Sequence, residues 1–138
     1  MTDPENEKAH LVDTNIILRF LLNDHQEHSP SATRFMIDVS RGVTKAEILD
    51  FILLECIYVL EKYYEIPRSE IAHRLSQIIN FQGIGNSNKA TLLNALFNYK
   101  KFKIDFADCL MAAYSSTNRV VVSFDKDFNK LKANWMRL

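Results

Sequence analysis

Carboxylates stand at the ends of apolar runs along this chain, a place where they are rarely found without compensation. Asp13 follows Leu11-Val12, and Glu55 lies inside ILDFILLECIYVLEKYY. Asp105 and Asp108 open DFADCLMAAY, while Asp125 and Asp127 follow the run RVVVSF or sit just beyond it. Carboxylates gathered within a few ångströms repel one another and cannot all stay ionised. A hard divalent cation such as Mg²⁺ or Mn²⁺ relieves that repulsion through oxygen ligation. The chemistry such a set supports is metal-assisted hydrolysis with an activated water.

Each acid also has an ordinary explanation. Asp13 sits where Asp, Thr and Asn cap helices, and Thr14 beside it would orient it as a ligand. The neighbours of Glu55 at i±3 and i±4 are Phe51, Ile52, Tyr58 and Val59, which predicts a buried carboxylate in need of a partner. Asp105 is the better cap of its helix and leaves Asp108 in the first turn, where the helix dipole accounts for part of its presence. Asp125 and Asp127 fall in a turn after a strand, a common place for Asp, and Asp127 has the option of capping the next helical turn. Cys56 and Cys109 lie in apolar helical patterns without CxxC or zinc-finger spacing. They read as small buried hydrophobes rather than metal ligands or nucleophiles.

The elements that must position these acids follow from periodicity. Residues 10–13 read as a short strand running into a helix, with Asp13 at the junction. Ser29-Pro30 predicts a helix start, and that helix should end near Gly42. A short strand is expected over 43–46, then a long, largely buried helix over 48–64 that Pro67 interrupts. Helices follow over 68–80, with Ile71, Leu75, Ile78 and Ile79 inward, and over 87–100, with Leu92, Leu93, Ala95, Leu96 and Tyr99 inward. Residues 81–86 read as a turn around a poor strand, 105–116 as a helix, 119–124 as a buried strand and 127–131 as a helical turn. Strands alternating with helices point to an α/β fold with a mostly parallel sheet. In such sheets sites lie beyond the carboxyl ends of strands, which brings Asp13 and Asp125 to one edge.

Length and composition set the frame. The chain has 138 residues, 47% apolar and 25% charged, with 3 Gly and 3 Pro. One domain over residues 9–138 with a flexible tail over 1–8 is expected. A polar, acidic N-terminus and apolar runs too short to span a bilayer predict a cytoplasmic protein with no membrane partner. The zero net charge argues against a strongly basic nucleic-acid binder. An acidic hole in a mildly basic surface would, however, be hidden by a neutral total.

The segments LVDTNIILRFLL, ILLECIYVLEKYYEIPRSEI, DFADCLMAAYS and VVVSFDKDFNKL resemble the successive motifs of the PIN-domain family, and most closely its VapC-type toxins. The resemblance runs from about residue 9 to the end, in the family's order and spacing, with no acidic position missing. It implies a three-layer α/β/α domain with a small, four- to five-stranded, mostly parallel sheet. It also implies an acidic quartet of Asp13, Glu55, Asp108 and Asp125, supported by Thr14 and Ser123. Asp105 and Asp127 are extra acids, Asp127 a rival for the fourth place. The implied activity is cleavage of RNA with Mg²⁺ or Mn²⁺, often by a homodimer, in a toxin silenced by a small antitoxin. Dimerisation would use the apolar helices over 29–40 and 48–80.

RNA would be gripped at the rim by Lys100, Lys101, Lys103, Lys126 and Lys130, with Lys132 and Arg137 as further candidates. Trp135 and Phe102 are aromatic enough to stack a base, although packing explains either. His10, His25, His28 and His73 show no pairing of the kind an imidazole-based ribonuclease needs, so hydrolysis to a 5′-phosphate is expected. A haloacid-dehalogenase-like phosphatase needs a second Asp two residues after the first, and Asn15 stands there. The remaining rival is a non-catalytic RNA- or protein-binding module whose acids are structural.

Overall fold

The computed structural model of the chain describes residues 8–138, so all but the last residue of the expected tail lies outside the described residues. Four short strands and seven helices follow in the order β1 (His10–Leu11), α1 (Thr14–Leu22), α2 (His28–Ser40), β2 (Ala46–Glu47), α3 (Asp50–Lys62), α4 (Arg68–Ile79), α5 (Lys89–Lys101), α6 (Phe106–Tyr114), β3 (Val121–Ser123), α7 (Asp127–Lys130) and β4 (Trp135–Arg137). The four strands pair in parallel, as the alternation of elements predicts. His10 pairs with Ala46 and Leu11 with Glu47; Val121 to Ser123 pair with Trp135 to Arg137. Hydrogen bonds divide the strands into these two ladders rather than one continuous sheet. The poor strand expected over 81–86 survives as a single parallel bridge between Ile84 and Ala46. Gly83 makes that approach feasible, because a Cβ there would lie 2.2 Å from Thr44 O and 2.6 Å from Val39 O.

Helical periodicity accounts for the core. On α4 the residues Ile71, Leu75, Ile78 and Ile79 are buried, and on α5 Leu92, Ala95, Leu96 and Tyr99 are fully so. Each aliphatic side chain buried in this way contributes about 1.5–3 kcal/mol. The helix α3 touches α1, α4 and α6, so it links the hairpin of α1 and α2 to the run α4–α5–α6. Among the described residues no helix is long and apolar enough to cross a membrane.

Three expectations need correction, and one element comes without any expectation. The helix read as largely buried over 48–64 buries only one stripe: Ile52, Leu53, Cys56, Ile57 and Leu60 face in. Phe51, Leu54 and Tyr58, at 63%, 38% and 57% exposure, form the opposite stripe with Glu55. The run is apolar on both faces, so pattern alone does not select the buried one. The strand read as buried over 119–124 covers only Val121–Ser123, and Val120, Val122 and Phe124 are exposed while Val121 is buried. Period-2 alternation with β4 as its one ladder partner explains that split. Ser29 is not the cap of α2, which begins one residue earlier; its buried hydroxyl accepts the His25 N–H at 3.1 Å. Finally, β4 has no clear sequence signal, being three residues whose strand character comes from pairing with β3.

Candidate active site

The acids lie at helix starts, just beyond a strand and on a helix face, and fall into two groups. Asp13 and Asp105 occupy the positions immediately before α1 and α6, with extended backbone. Neither side chain makes a capping hydrogen bond; the helix starts are held by backbone contacts such as Asp105 O to the N–H groups of Asp108 and Cys109, both 3.1 Å. The cap position is therefore filled in both cases while the carboxylate is left for something else.

Asp13 and Glu55 belong together. Thr14, buried next to Asp13, donates its hydroxyl to Glu55 Oε2 at 3.1 Å, which ties the start of α1 to the middle of α3. The Cys56 thiol is pushed up to about 12 by burial, with Glu55 and then Asp13 adding to it. Glu55 itself is exposed, contrary to the buried position its neighbours predict, because its apolar neighbours Phe51 and Tyr58 are exposed too.

Asp108 belongs to the second group. It is half-buried on α6, and its carboxyl is held above the usual range by burial, then by Asp125, Asp105 and Asp127. Asp125 Oδ1 accepts the N–H of Asp127 at 2.8 Å, and Ser123 Oγ accepts the N–H of Asp125 at 3.0 Å. The capping contact at the start of α7 thus comes from Asp125, not from Asp127. Glu55 and Asp105 line a common cavity of about 610 Å³ with Phe51, Tyr58 and Phe106, which joins the two groups.

Among the described residues, no three His, Cys, Asp or Glu side chains converge in a metal-holding arrangement. Glu55 turns to Thr14 and Asp125 to the backbone of Asp127. Basic partners go elsewhere: the described ion pairs join Arg19 to Asp24, Arg68 to Glu61, Arg74 to Glu70 and Lys130 to Asp127, the last at 3.9 Å. Asp13, Glu55, Asp105, Asp108 and Asp125 have none. The donor chemistry fits a hard divalent cation, since every free group is a carboxylate oxygen.

The other candidates separate. Lys101 and Lys130 line a cleft between α5, α6 and α7, whereas Lys100 lines a different cavity with Ala72, His73 and Ser76. Lys103 and Lys126 are exposed. Trp135 packs against Phe128 and donates to Asn129 Oδ1 at 2.9 Å. Phe102 is half-buried with the Lys101 ammonium 5.2 Å over its ring. His25 and His28 do pair in space, stacked with centroids 4.2 Å apart, but His25 Nδ1 accepts the His28 N–H at 3.0 Å and serves the start of α2. Both cysteines are buried; Cys109 is pushed up to about 11 by burial, with Arg68 opposing.

Sequence reasoning missed two supporting networks. The Arg68 guanidinium lies 3.8 Å over the Tyr99 ring and donates to the carbonyls of Tyr99, Phe102 and Ile104. Tyr99 in turn donates to Glu61 at 2.8 Å. This holds the segment that ends in Asp105. A cation in the first turn of a helix opposes its dipole, and that was the available signal that Arg68 has a partner elsewhere. Across the molecule, Asn88 donates to Asp50 at 2.9 Å and to Tyr114 Oη at 2.7 Å, joining α3, α6 and the segment before α5.

A family model described as PIN domain matches residues 10–134. The chain is also 28% identical over 123 residues to a VapC ribonuclease from Aquifex aeolicus (strain VF5), covering 88% of this chain and 90% of that protein. Because the family match runs from β1 through α7 and takes in every acid described above, the chain belongs to the PIN domain family.

Proposed function

We propose that this protein is a metal-dependent endoribonuclease, the toxin of a toxin–antitoxin pair, with Asp13, Glu55, Asp108 and Asp125 as its ligand set. The observation that carries the reading is a set of carboxylates from four separate segments with no Lys or Arg paired to them among the described residues, whereas Glu61 on α3 and Glu70 on α4 have such partners. The VapC ribonuclease similarity supports RNA as the substrate.

Asp13 and Glu55 on one side, and Asp108 and Asp125 on the other, would hold Mg²⁺ or Mn²⁺, with Asp105 and Asp127 in reserve. Such a cation, when bound, makes water more acidic and offsets the charge of the scissile phosphate. Thr14 keeps Glu55 turned toward Asp13, and Ser123 shapes the turn that carries Asp125. A free carboxylate oxygen of the set takes the proton of the attacking water. The water oxygen bonds to phosphorus, the bond to the 3′ oxygen breaks, and that oxygen takes a proton from solvent water to leave as a hydroxyl. The products are a 5′-phosphate and a 3′-hydroxyl. Lys100, Lys101, Lys103, Lys126 and Lys130 supply the rim charge for the RNA. A cytoplasmic homodimer, silenced by a small antitoxin and acting through a single domain over residues 9–138, completes the reading.

The rival reading, with structural acids, draws on the separate hydrogen bonds of Glu55 and Asp125. Asp13→Asn and Glu55→Gln distinguish the two. With end-labelled single-stranded RNA in Mn²⁺, wild type is expected to cleave and both variants to lose at least about 100-fold in rate, roughly 2.7 kcal/mol of barrier, while in EDTA their melting temperatures stay near that of wild type. Variants that unfold, beside a wild type inert in every divalent ion, would establish the structural reading instead.

A further inference from the structure

The cleft between α5, α6 and α7 gathers lysines from two separate segments. It encloses about 390 Å³, and Lys101, Lys130 and Lys132 line it without any carboxylate. In a chain with as many acids as bases, three cations converging without an acid is a polarised site. Its volume falls in the range of small-ligand pockets. Phe97 also lines it and is 60% exposed, an aromatic face held toward solvent at a rim rather than packed. Asn94 and Asn98, one turn apart on α5 and hydrogen-bonded to each other, add amide groups to the same wall.

Two features keep the positive charge available. Lys101 ends α5, where the helix dipole would repel an anion. Arg68 already satisfies the carbonyls of Tyr99 and Phe102 there, at 3.0 Å each, so the negative end is neutralised from behind. Lys130 meets Asp127 only at 3.9 Å and is well exposed, so that contact gives way readily to a better anion. Lys132 is held at φ 53°, a conformation that L side chains adopt rarely.

The cleft is built on elements that also carry acids. The end of α5 leads through Phe102 and Ile104 to Asp105, and α7 starts at Asp127. Ala112 in its floor lies four residues after Asp108 on α6, about 6 Å along the helix axis.

Resting on the nuclease reading, we infer that this cleft is a strand-holding subsite of the substrate. It takes one unpaired nucleotide next to the scissile bond, its phosphate on Lys101, Lys130 and Lys132 and its base against Phe97. Unpaired RNA is the class it fits, because a base inside a duplex cannot reach an aromatic face.

The test uses the full chain, a fluorescent 12-nucleotide single-stranded RNA and two variants. Lys101→Ala combined with Lys132→Ala should raise KM about tenfold with kcat within twofold. The same double variant should flatten the plot of log Kd against log salt by about 0.7, the value for one phosphate contact on a single strand. Phe97→Ala should weaken binding several-fold and leave that salt slope unchanged. Unchanged Kd and slope in both variants, with melting temperatures equal to wild type, would overturn the subsite. Binding measured in EDTA keeps the two readings apart: absent cleavage in any divalent ion defeats the nuclease, while loss of binding in the double variant still upholds the cleft.

Discussion

Asp108 holds a half-buried carboxyl among Asp125, Asp105 and Asp127, and burial raises its pKa first, the three acids after it. A carboxyl raised on folding contributes most to stability below its unfolded value, near 3.8, and loses that contribution as pH rises through the folded value. At neutral pH, with no cation present, Asp108 therefore destabilises the fold. Asp108→Asn is expected to melt higher than wild type in EDTA at pH 7, with the gap closing toward pH 4, and to cleave at least about 100-fold more slowly in Mn²⁺. A melting point below wild type at pH 7 in EDTA would mean that these acids do not crowd one another. Thr14 shows the opposite economy, since one buried hydroxyl both fills its site and fixes the orientation of Glu55.

The helix starts do the positioning, and they depend on contacts far from the acids. Arg68, at the start of α4, gathers the carbonyls at the end of α5 and the segment leading to Asp105. Removing its guanidinium leaves several carbonyls without a donor, each lost contact to a charged group being worth about 1.5–3 kcal/mol. Arg68→Met should lower stability by roughly 3 kcal/mol in denaturant titrations. Arg68→Lys should recover little, because an ammonium cannot reproduce the planar fork over Tyr99. Below the melting temperature, Arg68→Met should also cleave RNA more slowly, since Asp105 and Asp108 follow the loosened segment. A stability loss under about 1 kcal/mol would show that the network does not anchor this end of α5.

The molecule as a whole keeps charge apart: acids at the starts of α1, α6 and α7, lysines in the adjoining cleft, and a neutral total. A ligand that binds only the folded state stabilises it by mass action, about 2.7 kcal/mol at a hundred times its Kd. Mn²⁺ should therefore raise the melting temperature of wild type by several degrees and that of the combined Asp13→Asn, Glu55→Gln variant by much less. An equal rise in both, followed calorimetrically over a Mn²⁺ titration, would place the cation elsewhere. The sequence made the alternation of strand and helix legible, as well as the inward faces of α4 and α5 and the acids themselves. Those features are local, because period and residue type are written in each segment. Which face of α3 is buried, the pairing of β4 with β3, the reach of Arg68 and the convergence of Lys101 with Lys130 and Lys132 were not legible. Each depends on which distant segments pack together, and packing energy is collected only when the whole chain has closed.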